Sequence, residues 1–464
     1  MSEKKKFRFP NPYILLLIFL ALACAMTFLI PAGSYEREVV EGISNPVVVP
    51  DTYAQVANTP VTLGTLLGSI AQGMGDSAAI IFLIFFSAGT FAVFNKTGAI
   101  ENGIGVMIRK INSAHIPSTA VIWLLTFLFS ILGFVSGPDA LVPFTLVAVS
   151  IALGLGYDLI LGLALVLAGS GIGFSFSPIN AAVVGTPQSI IGLPIFSGME
   201  FRVVMWFVGT CLIALMFTLY GNKVKAHPEK SSVADVDTSG LSLSKGLDEY
   251  ALSGRQIAVL VVFVLMFVFT VVGSLEFGWY LNEISGIFLV AGIVAGLIYG
   301  LKTQDIINGF VEGGASVAGT ALLIGIARAI QVVLTEGNVL DTIIYYLSGP
   351  LSGMSPIIAG IFISVVVCIV HFFITSGSGL SVAMVPIIAP LGIMAGLSAQ
   401  TTVLAFQVGG SVLNMIIPTL GSTMAMCGLA RVPYSKWLKV GWKMCIPVVI
   451  VAWLFIILAV FIGY

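Results

Sequence analysis

The chain has 464 residues, of which 58% are hydrophobic and 9% charged, and its formal net charge is −1. Ordinary soluble domains carry about 25% charged residues, so the composition excludes a soluble globular protein and indicates an all-α polytopic membrane protein. The near-zero charge implies no nucleic-acid partner and leaves the lipid bilayer and a small molecule as the expected partners. The five cysteines stand singly, without metal-binding spacing, so no metal site is expected.

The first segment, 1–31, joins a basic tail to an apolar run at 13–30. A span needs about 20 residues, and a cleaved signal peptide usually has a shorter apolar core. We therefore expect an uncleaved first helix with its N-terminus in the cytoplasm, because the basic residues of the tail favour that side. They are Lys4, Lys5, Lys6 and Arg8.

Two stretches, 62–220 and 305–464, carry the same marks about 240 positions apart. A polar linker at 221–255 and two connecting helices in 256–300 separate them. The repeated marks are Gly73, Ser136-Gly137, Gly169-Ser170 and Pro178, which recur as Gly313, Ser376-Gly377, Gly410-Ser411 and Pro418. Internal duplication in a membrane protein, marked by helix-breaking residues, is typical of secondary transporters.

Hydropathy predicts roughly 11–13 transmembrane segments, five of them in each repeat. The predicted runs are 77–95, 117–135, 140–156, 159–176 and 201–220, then 316–334, 356–374, 380–397, 402–417 and 445–463. Shorter amphipathic stretches at 62–75, 98–112, 305–315 and 338–351 are predicted to lie along the interface. Whether 117–156 and 356–397 are full spans or re-entrant hairpins stays open at this point.

The distribution of basic residues predicts that the two repeats are inverted. Arg109, Lys110 and His115 fall in a loop predicted inside, whereas the corresponding stretch Glu336–Ser355 has no Lys or Arg. Two outer stretches depart from the rule, because each holds one basic residue, Arg37 or Arg202.

The first candidate site is a pair of helix breaks. Ser136 and Gly137 precede Pro138-Asp139 in one repeat, and Ser376, Gly377, Ser378 and Gly379 stand in the other. Backbone N–H groups freed at such breaks bind carboxylates, and freed carbonyls bind cations. The alternative is a plain polar turn at the membrane surface.

A second pair of polar loops follows, with Asn180 and Thr186 in one repeat and Asn414 and Thr419 in the other. Amide and hydroxyl groups each donate and accept hydrogen bonds, which suits a small polar ligand. The glycines nearby have an equally good alternative role in close helix packing. They are Gly169, Gly171, Gly409 and Gly410.

Three ionisable residues fall inside apolar runs. Arg328 either binds a substrate carboxylate, pairs with Glu312 or Asp139, or snorkels to an interface. Asp139 is a candidate for a coupling cation or proton, and His371 for a proton. The alternative for His371 is a hydrogen bond to a neighbouring helix.

No enzyme is expected, because the sequence has no HExxH, P-loop or G-x-S-x-G motif. A dyad of His371 with Ser376 or Ser378 has no third group to orient it. No cofactor is expected beyond a coupling Na⁺ or H⁺. An anion channel is the remaining competitor.

Several stretches resemble the YfcC branch of the C4-dicarboxylate anaerobic carrier (DcuC) family of the ion transporter superfamily. They are 371–379 (HFFITSGSG), 385–392, 402–407 with Pro418-Thr419, 96–104, 325–330 and 436–440. The resemblance implies two repeats with hairpins and an elevator-like or rocking cycle. It links the chain to carriers of dicarboxylates and short-chain fatty acids and to arginine–ornithine exchangers.

Two departures from the branch matter. Many members have Gly-Glu-Glu where this chain has Gly137-Pro138-Asp139, and Gly-Asp-Gly where it has Gly409-Gly410-Ser411. Fewer acids weaken the case for a cationic substrate.

We therefore expect a secondary active transporter, a symporter or antiporter, for a small carboxylate-bearing solute, either an organic anion or an amino acid. The expected location is a bacterial cytoplasmic membrane and the expected state a homodimer. A basic amino-acid antiporter is the first alternative.

Overall fold

The computed structural model describes residues 12–39, 46–243, 245–351 and 353–464, and the basic N-terminal tail lies outside them. The helices are α1 Pro12–Leu29, α2 Leu63–Asp76, α3 Ala78–Thr97, α4 Ala99–Ser113, α5 Ser118–Ser136, α6 Phe144–Gly154, α7 Leu159–Ser175, α8 Thr186–Ile190, α9 Met199–Ala226, α10 Gly254–Glu276, α11 Leu281–Tyr299, α12 Thr303–Glu336, α13 Leu340–Ser348, α14 Pro356–His371, α15 Gly377–Met394, α16 Ala399–Gly409, α17 Gly421–Leu429 and α18 Tyr434–Ile462. Four short strands, β1 Gly33–Ser34, β2 Arg37–Glu38, β3 Val47–Val48 and β4 Ala54–Gln55, pair antiparallel as β1–β4 and β2–β3.

The chain is an all-helical polytopic membrane protein, as its composition predicts. Seven helices within the described ranges are long and apolar enough to cross a membrane, namely α3, α5, α9, α11, α12, α15 and α18. Short helical turns of 3₁₀ type lie at Asp139–Leu141, Pro228–Lys230, Leu247–Glu249 and Gly349–Leu351, and a π-helical turn at Ala181–Gly185 precedes α8.

Two predicted interfacial helices are wrong. The stretch 305–315 is the first part of the continuous 34-residue α12, and α2, predicted at 62–75, packs lengthwise against α12. Glycines at the start of α12 lower the hydropathy of that stretch, although their role is to let α3 pack closely against it. The linker is also shorter than predicted, because α9 continues to Ala226 and α10 begins at Gly254.

The first helices of the two repeats pack against each other through equivalent residues. A Cβ on Gly73 would lie 2.7 Å from the backbone nitrogen of Ala329, and one on Gly313 would lie 2.5 Å from the Cα of Gly89. Gly313 and Ala329 each stand 240 positions after their counterparts, Gly73 and Gly89. This reciprocal contact is what a two-fold relation between the repeats produces.

The next two elements of each repeat form a helical hairpin, in which α6 and α14 are shorter than the helices long enough to span a membrane. The hydroxyl of Ser118, where α5 begins, lies 3.0 Å from that of Tyr157, just after α6 ends. In the second repeat a Cβ on Gly396, after α15, would lie 3.1 Å from Pro356, where α14 begins. Each hairpin therefore enters and leaves at the same end of the bundle.

The repeats point in opposite directions along α9. Asp158 accepts a hydrogen bond from Tyr220 near the end of α9, at 2.7 Å. Its counterpart 240 positions on, Ser398, contacts Tyr464, whose hydroxyl donates to the carbonyl of Gly198 just before α9, at 2.6 Å. Arg202, near the start of α9, and Tyr220 are eighteen residues of helix apart, or about 27 Å. The equivalent residues Asp158 and Ser398 therefore lie at opposite ends of the bundle.

The basic residues gather at one end, which also carries the linker 227–253 and is called the linker end below. The two exceptions are neutralised or buried at the other end. Arg37 forms an ion pair with Asp341 at 2.7 Å, and Arg202 is fully buried. The positive-inside rule therefore predicts that the linker end is the cytoplasmic one.

We expect Gly73→Ala and Gly313→Ala each to lower the midpoint of thermal unfolding in detergent. The added Cβ would lie 2.5 Å and 2.4 Å from a backbone oxygen of the facing helix, and such overpacking costs about 1–3 kcal/mol. The midpoint is read from monodisperse protein surviving heating. Gly75→Ala is the matched control on α2, because a Cβ there meets nothing within 4 Å; three equal midpoints would contradict the helix contact.

We further expect His115→Cys and Asn338→Cys to react with a membrane-impermeant maleimide from opposite faces. Both positions are exposed, and they follow α4 at the linker end and α12 at the other end. Labelling is compared in right-side-out and inside-out vesicles. Reaction of both cysteines from one face would refute the inverted arrangement.

Candidate functional site

A cavity of about 530 Å³ lies where the tips of the two hairpins meet. Both repeats contribute to its walls, and the connecting helix α11 closes one side. The predicted site residues that line it are Gly137, Asp139, Asn180, Arg328, His371, Ser376, Gly377, Ser378, Asn414 and Thr419. We call it the central cavity.

The hairpin tips have different local structures. Gly137 has φ 79° and ψ 167°, a conformation that is essentially restricted to glycine, and it lets α5 end abruptly before Pro138. At the other tip the hydroxyl of Ser376 accepts a hydrogen bond from the N–H of Gly379 at 3.2 Å and caps α15. Ser136 ends α5, and its side chain lies outside the described part of the structure.

Polar loop residues hold the broken ends of the hairpin helices. The hydroxyl of Ser177 donates to the carbonyl of Phe134 at 2.9 Å, and Thr419 makes the related bond to Phe372 at 2.7 Å. Asn180 caps the following π-helical turn through its side-chain oxygen, 3.0 Å from the N–H of Ala182. Asn180 and Thr419 thus satisfy backbone groups at the cavity wall, besides facing the space itself.

Arg328 lies on the cavity wall and makes neither of the ion pairs considered for it. Glu312 pairs with Lys96 at 3.1 Å, and Asp139 is engaged elsewhere, so both expected pairs are wrong. The nearest carboxylate is Asp76, 3.9 Å from Nε. The guanidinium donates to Gln331 at 2.5 Å, and its Nε is buried without a hydrogen-bond partner among the described residues.

Two carboxylates share the cavity with this arginine. Asp139 accepts a hydrogen bond from the hydroxyl of Tyr280 at 3.0 Å, and Asp76 stands at the break between α2 and α3. These groups give the cavity one guanidinium and two acidic side chains, so its walls can contact an anionic group and a cationic group at once.

His371 and Asn414 form a buried pair that also faces the cavity. Nδ1 lies 3.1 Å from the carbonyl of Ile374, which can only accept, so this nitrogen carries a proton. Nε2 lies 2.7 Å from the side-chain oxygen of Asn414. A doubly protonated ring donates to that oxygen, whereas a neutral ring requires the amide NH₂ instead. Protonation of His371 would therefore change whether the oxygen or the NH₂ group of Asn414 points toward the ring, and with it which of the two faces the cavity.

Helix N-termini add positive potential to the cavity. The first residues of four helices line it, namely α3, α11, α15 and α17. Unpaired N–H groups and the helix dipole make each such end favourable for an anion. The C-terminal ends of four other helices, α2, α5, α7 and α14, also line it, so positive and negative helix ends balance and Arg328 supplies the formal positive charge of the cavity.

Other predicted site residues lie elsewhere. Thr186 begins α8 and Gly379 lies in the first turn of α15, and neither lines the cavity. Of the four glycines with an alternative packing role, Gly409 is the clearest packing residue, because a Cβ would lie 2.4 Å from the carbonyl oxygen of Ser364. Gly169 and Gly171 have no contact closer than 3.4 Å.

The dyad of His371 with a serine is not formed, because the described ring nitrogens contact Ile374 and Asn414. The hydroxyls of Ser376 and Ser378 lie 3.4 Å from each other.

Sequence reasoning missed several residues of the site. Asp76 could have been found, since it is an acid at the start of an apolar run, whereas Tyr280 comes from a connecting segment with no motif.

Arg202 was assigned to a loop, yet its Nε donates to Gln407 at 3.0 Å. Gln407 in turn donates to the carbonyl of Ser177 at 2.8 Å and ties the second repeat to the break in the first.

The chain is similar to several known proteins. It is 28% identical over 476 residues to the Escherichia coli (strain K12) protein named "Putative basic amino acid antiporter YfcC", covering 94% of this chain and 93% of that one. A Haemophilus influenzae protein (strain ATCC 51907 / DSM 11121 / KW20 / Rd) is 26% identical over 488 residues, with 94% of each chain covered.

Two solved transporter structures align over most of the chain at low similarity. The YdaH transporter of Alcanivorax borkumensis is 15% identical with a TM-score of 0.44, covering 98% of this chain and 99% of its own. MtrF of Neisseria gonorrhoeae is 16% identical with a TM-score of 0.43, covering 97% and 94%.

The family model of the C4-dicarboxylate anaerobic carrier, DcuC, matches residues 9–461. Because this match spans nearly the whole chain, the protein belongs to the DcuC family of membrane transporters.

Proposed function

We propose that the protein is a secondary active transporter or exchanger of a small carboxylate-bearing solute, an organic anion or an amino acid, across a bacterial cytoplasmic membrane. The observation that carries this proposal is the central cavity itself. It contains Arg328, whose Nε has no hydrogen-bond partner among the described residues, together with the N-terminus of α15, at the meeting point of two inverted repeats.

The solute carboxylate would bind Arg328 and the N-terminus of α15, where Ser376, Gly377 and Ser378 face the cavity. A guanidinium binds a carboxylate with two parallel hydrogen bonds, and a helix N-terminus supplies further N–H donors. Asp139 and the pair of His371 with Asn414 are the candidate positions for a coupling cation or proton. Their connection to the same cavity is what coupled transport requires.

The alternative is an exchanger of basic amino acids. Asp76 and Asp139 favour it, since two carboxylates in the cavity can bind a cationic side chain, and one relative carries that activity in its name. A solute panel in proteoliposomes separates the alternatives. It includes dicarboxylates, short fatty acids, and neutral and basic amino acids, each with Na⁺ or pH gradients and with preloaded counter-solute.

We expect Arg328→Gln to raise the solute concentration that gives half-maximal uptake by about ten-fold or more. The reason is that a hydrogen bond to a charged group contributes about 1.5–3 kcal/mol. Ser376→Ala and Asn414→Ala should abolish uptake without loss of folded protein. The measurement is initial uptake by proteoliposomes as a function of solute concentration.

Arg255→Gln is the matched control, because it removes an exposed arginine whose guanidinium donates to the carbonyl of Tyr299 at 3.2 Å, away from the cavity. It should transport normally. If the protein takes up only basic amino acids and Arg328→Gln does not change this uptake, the protein is the basic amino-acid exchanger instead. If Ser376→Ala and Asn414→Ala take up solute like the wild type, neither residue belongs to the site.

A further inference from the structure

A second cavity, of about 330 Å³, lies at the linker end of the bundle. Like the central cavity it is bounded by both repeats, through α3 and Leu146 on one side and α12 with the end of α17 on the other. Polar groups line it, among them Asn95, Glu312, Ser316 and Arg431. We call it the linker-end cavity.

The two cavities lie along one seam. Three helices line both of them, and the residues that do so are a short distance apart on each helix. From Ile80 to Ala88 on α3 is about 12 Å, and from Ile324 to Val317 on α12 about 10 Å. From Ser422 to Gly428 on α17 is about 9 Å.

A thin layer of buried side chains closes the seam between them. Leu83 and Ile84 on α3 are 0% exposed, and Met424 on α17 is 2% exposed. Small residues let α17 lie directly against α12, where a Cβ on Gly428 would lie 2.0 Å from the Thr320 hydroxyl.

The linker covers the side of this cavity that faces away from the central cavity. Leu241 inserts its side chain into the wall and is 6% exposed. The carbonyl of Gly240 accepts a hydrogen bond from Asn95 of the first repeat at 3.0 Å. On the second repeat, Arg431 donates to the carbonyl of Ser239 at 2.9 Å.

An ion pair adds to this attachment, since Lys436 on α18 contacts Asp235 of the linker. The hydrogen bond from Lys436 lowers the pKa of the Asp235 carboxyl from its usual value. Its side chain is 75% exposed, and exposed pairs of this kind are weak and screened by salt. The linker is thus attached to both repeats by contacts that separate at low cost.

We propose that the linker-end cavity is the cytoplasmic half of the solute route and that linker residues 235–241 are its removable cover. The proposal rests on the proposed transport function. A solute leaving the central cavity would pass along the seam of α3, α12 and α17. Because the cover is attached to Asn95 on α3 and to Arg431 just after α17, motion of α17 against α3 would break its contacts and open the cavity to the cytoplasm.

The test measures access to Val317→Cys, which places a thiol on the wall of the linker-end cavity at a position that is 3% exposed. A membrane-impermeant maleimide is added to vesicles of either orientation, and alkylation of that position is followed by peptide mass spectrometry, with the native cysteines in place. We expect slow labelling from the linker face. Lys436→Gln should raise the rate about two- to five-fold, and replacing 235–241 by a Gly-Ser segment of equal length should raise it about ten-fold or more.

Glu229→Gln is the matched control, because it removes another acid of the same linker whose ion-pair partner is His227 within the linker itself. It should leave the rate unchanged. Labelling that is equally fast in all variants, or that occurs from the opposite face, would overturn the proposal.

The measurement needs no solute, so it is independent of the proposed function. If labelling depends on the linker but the protein transports no solute of the panel, the proposed transport function is wrong and the proposed cover stands. If the protein transports a solute but changes in the linker leave labelling unaffected, the proposed cover is wrong and the proposed function stands.

Discussion

The structure depends on how backbone polar groups are satisfied where helices break inside the membrane. Unpaired N–H and C=O groups are tolerated at that depth only where protein or a water-filled cavity receives them. The hydroxyls of Ser177 and Thr419 bind the carbonyls of Phe134 and Phe372 before the two tips, and Asn180 caps the turn that follows. The donors that remain at the helix N-termini face the central cavity. The same interruption that would destabilise a spanning helix therefore creates the binding surface.

Close backbone contact holds the two inverted repeats in register. Gly73 against Ala329 and Gly313 against Gly89 leave no room for a Cβ, so α3 and α12 are fixed relative to each other. The seam between α12 and α17 is equally close at Gly428, but among the described residues an ion pair joins α3 to α12, through Lys96 and Glu312, and none joins α12 to α17. Two contacts of unequal strength side by side are suited to a bundle in which one part moves against another.

The sequence predicted what periodicity and duplication encode: the helical class, the paired breaks and ten of the 26 residues that line the central cavity. It placed Gly137 and Ser376 near one another because the Ser-Gly break recurs in both repeats as Ser136-Gly137 and Ser376-Gly377. It failed where tertiary contact decides. The helix α12 was divided because its glycines look like an interruption, although they serve the packing of α3. Tyr280 was invisible, since a connecting loop brings it to Asp139 from outside both repeats. The partner of Arg328 was also misjudged, because sequence spacing does not say which acid lies across a helix contact.

A symmetric framework carries asymmetric chemistry. The positions equivalent to Arg328, His371 and Asn414 in the first repeat are Ala88, Ile131 and Phe174, and Asp139 corresponds to Gly379. The two-fold relation is thus kept in glycines, prolines and hydroxyl caps, whereas each ionisable group of this set occurs in one copy only. A symmetric pair of charges would offer a solute two equivalent orientations. Single copies of a guanidinium and an imidazole offer one, with the solute carboxylate at Arg328 under the proposed function. Coupling of solute and proton binding would then require a conformational equilibrium that both groups bias, because separate sites are coupled only through states that bind each ligand differently.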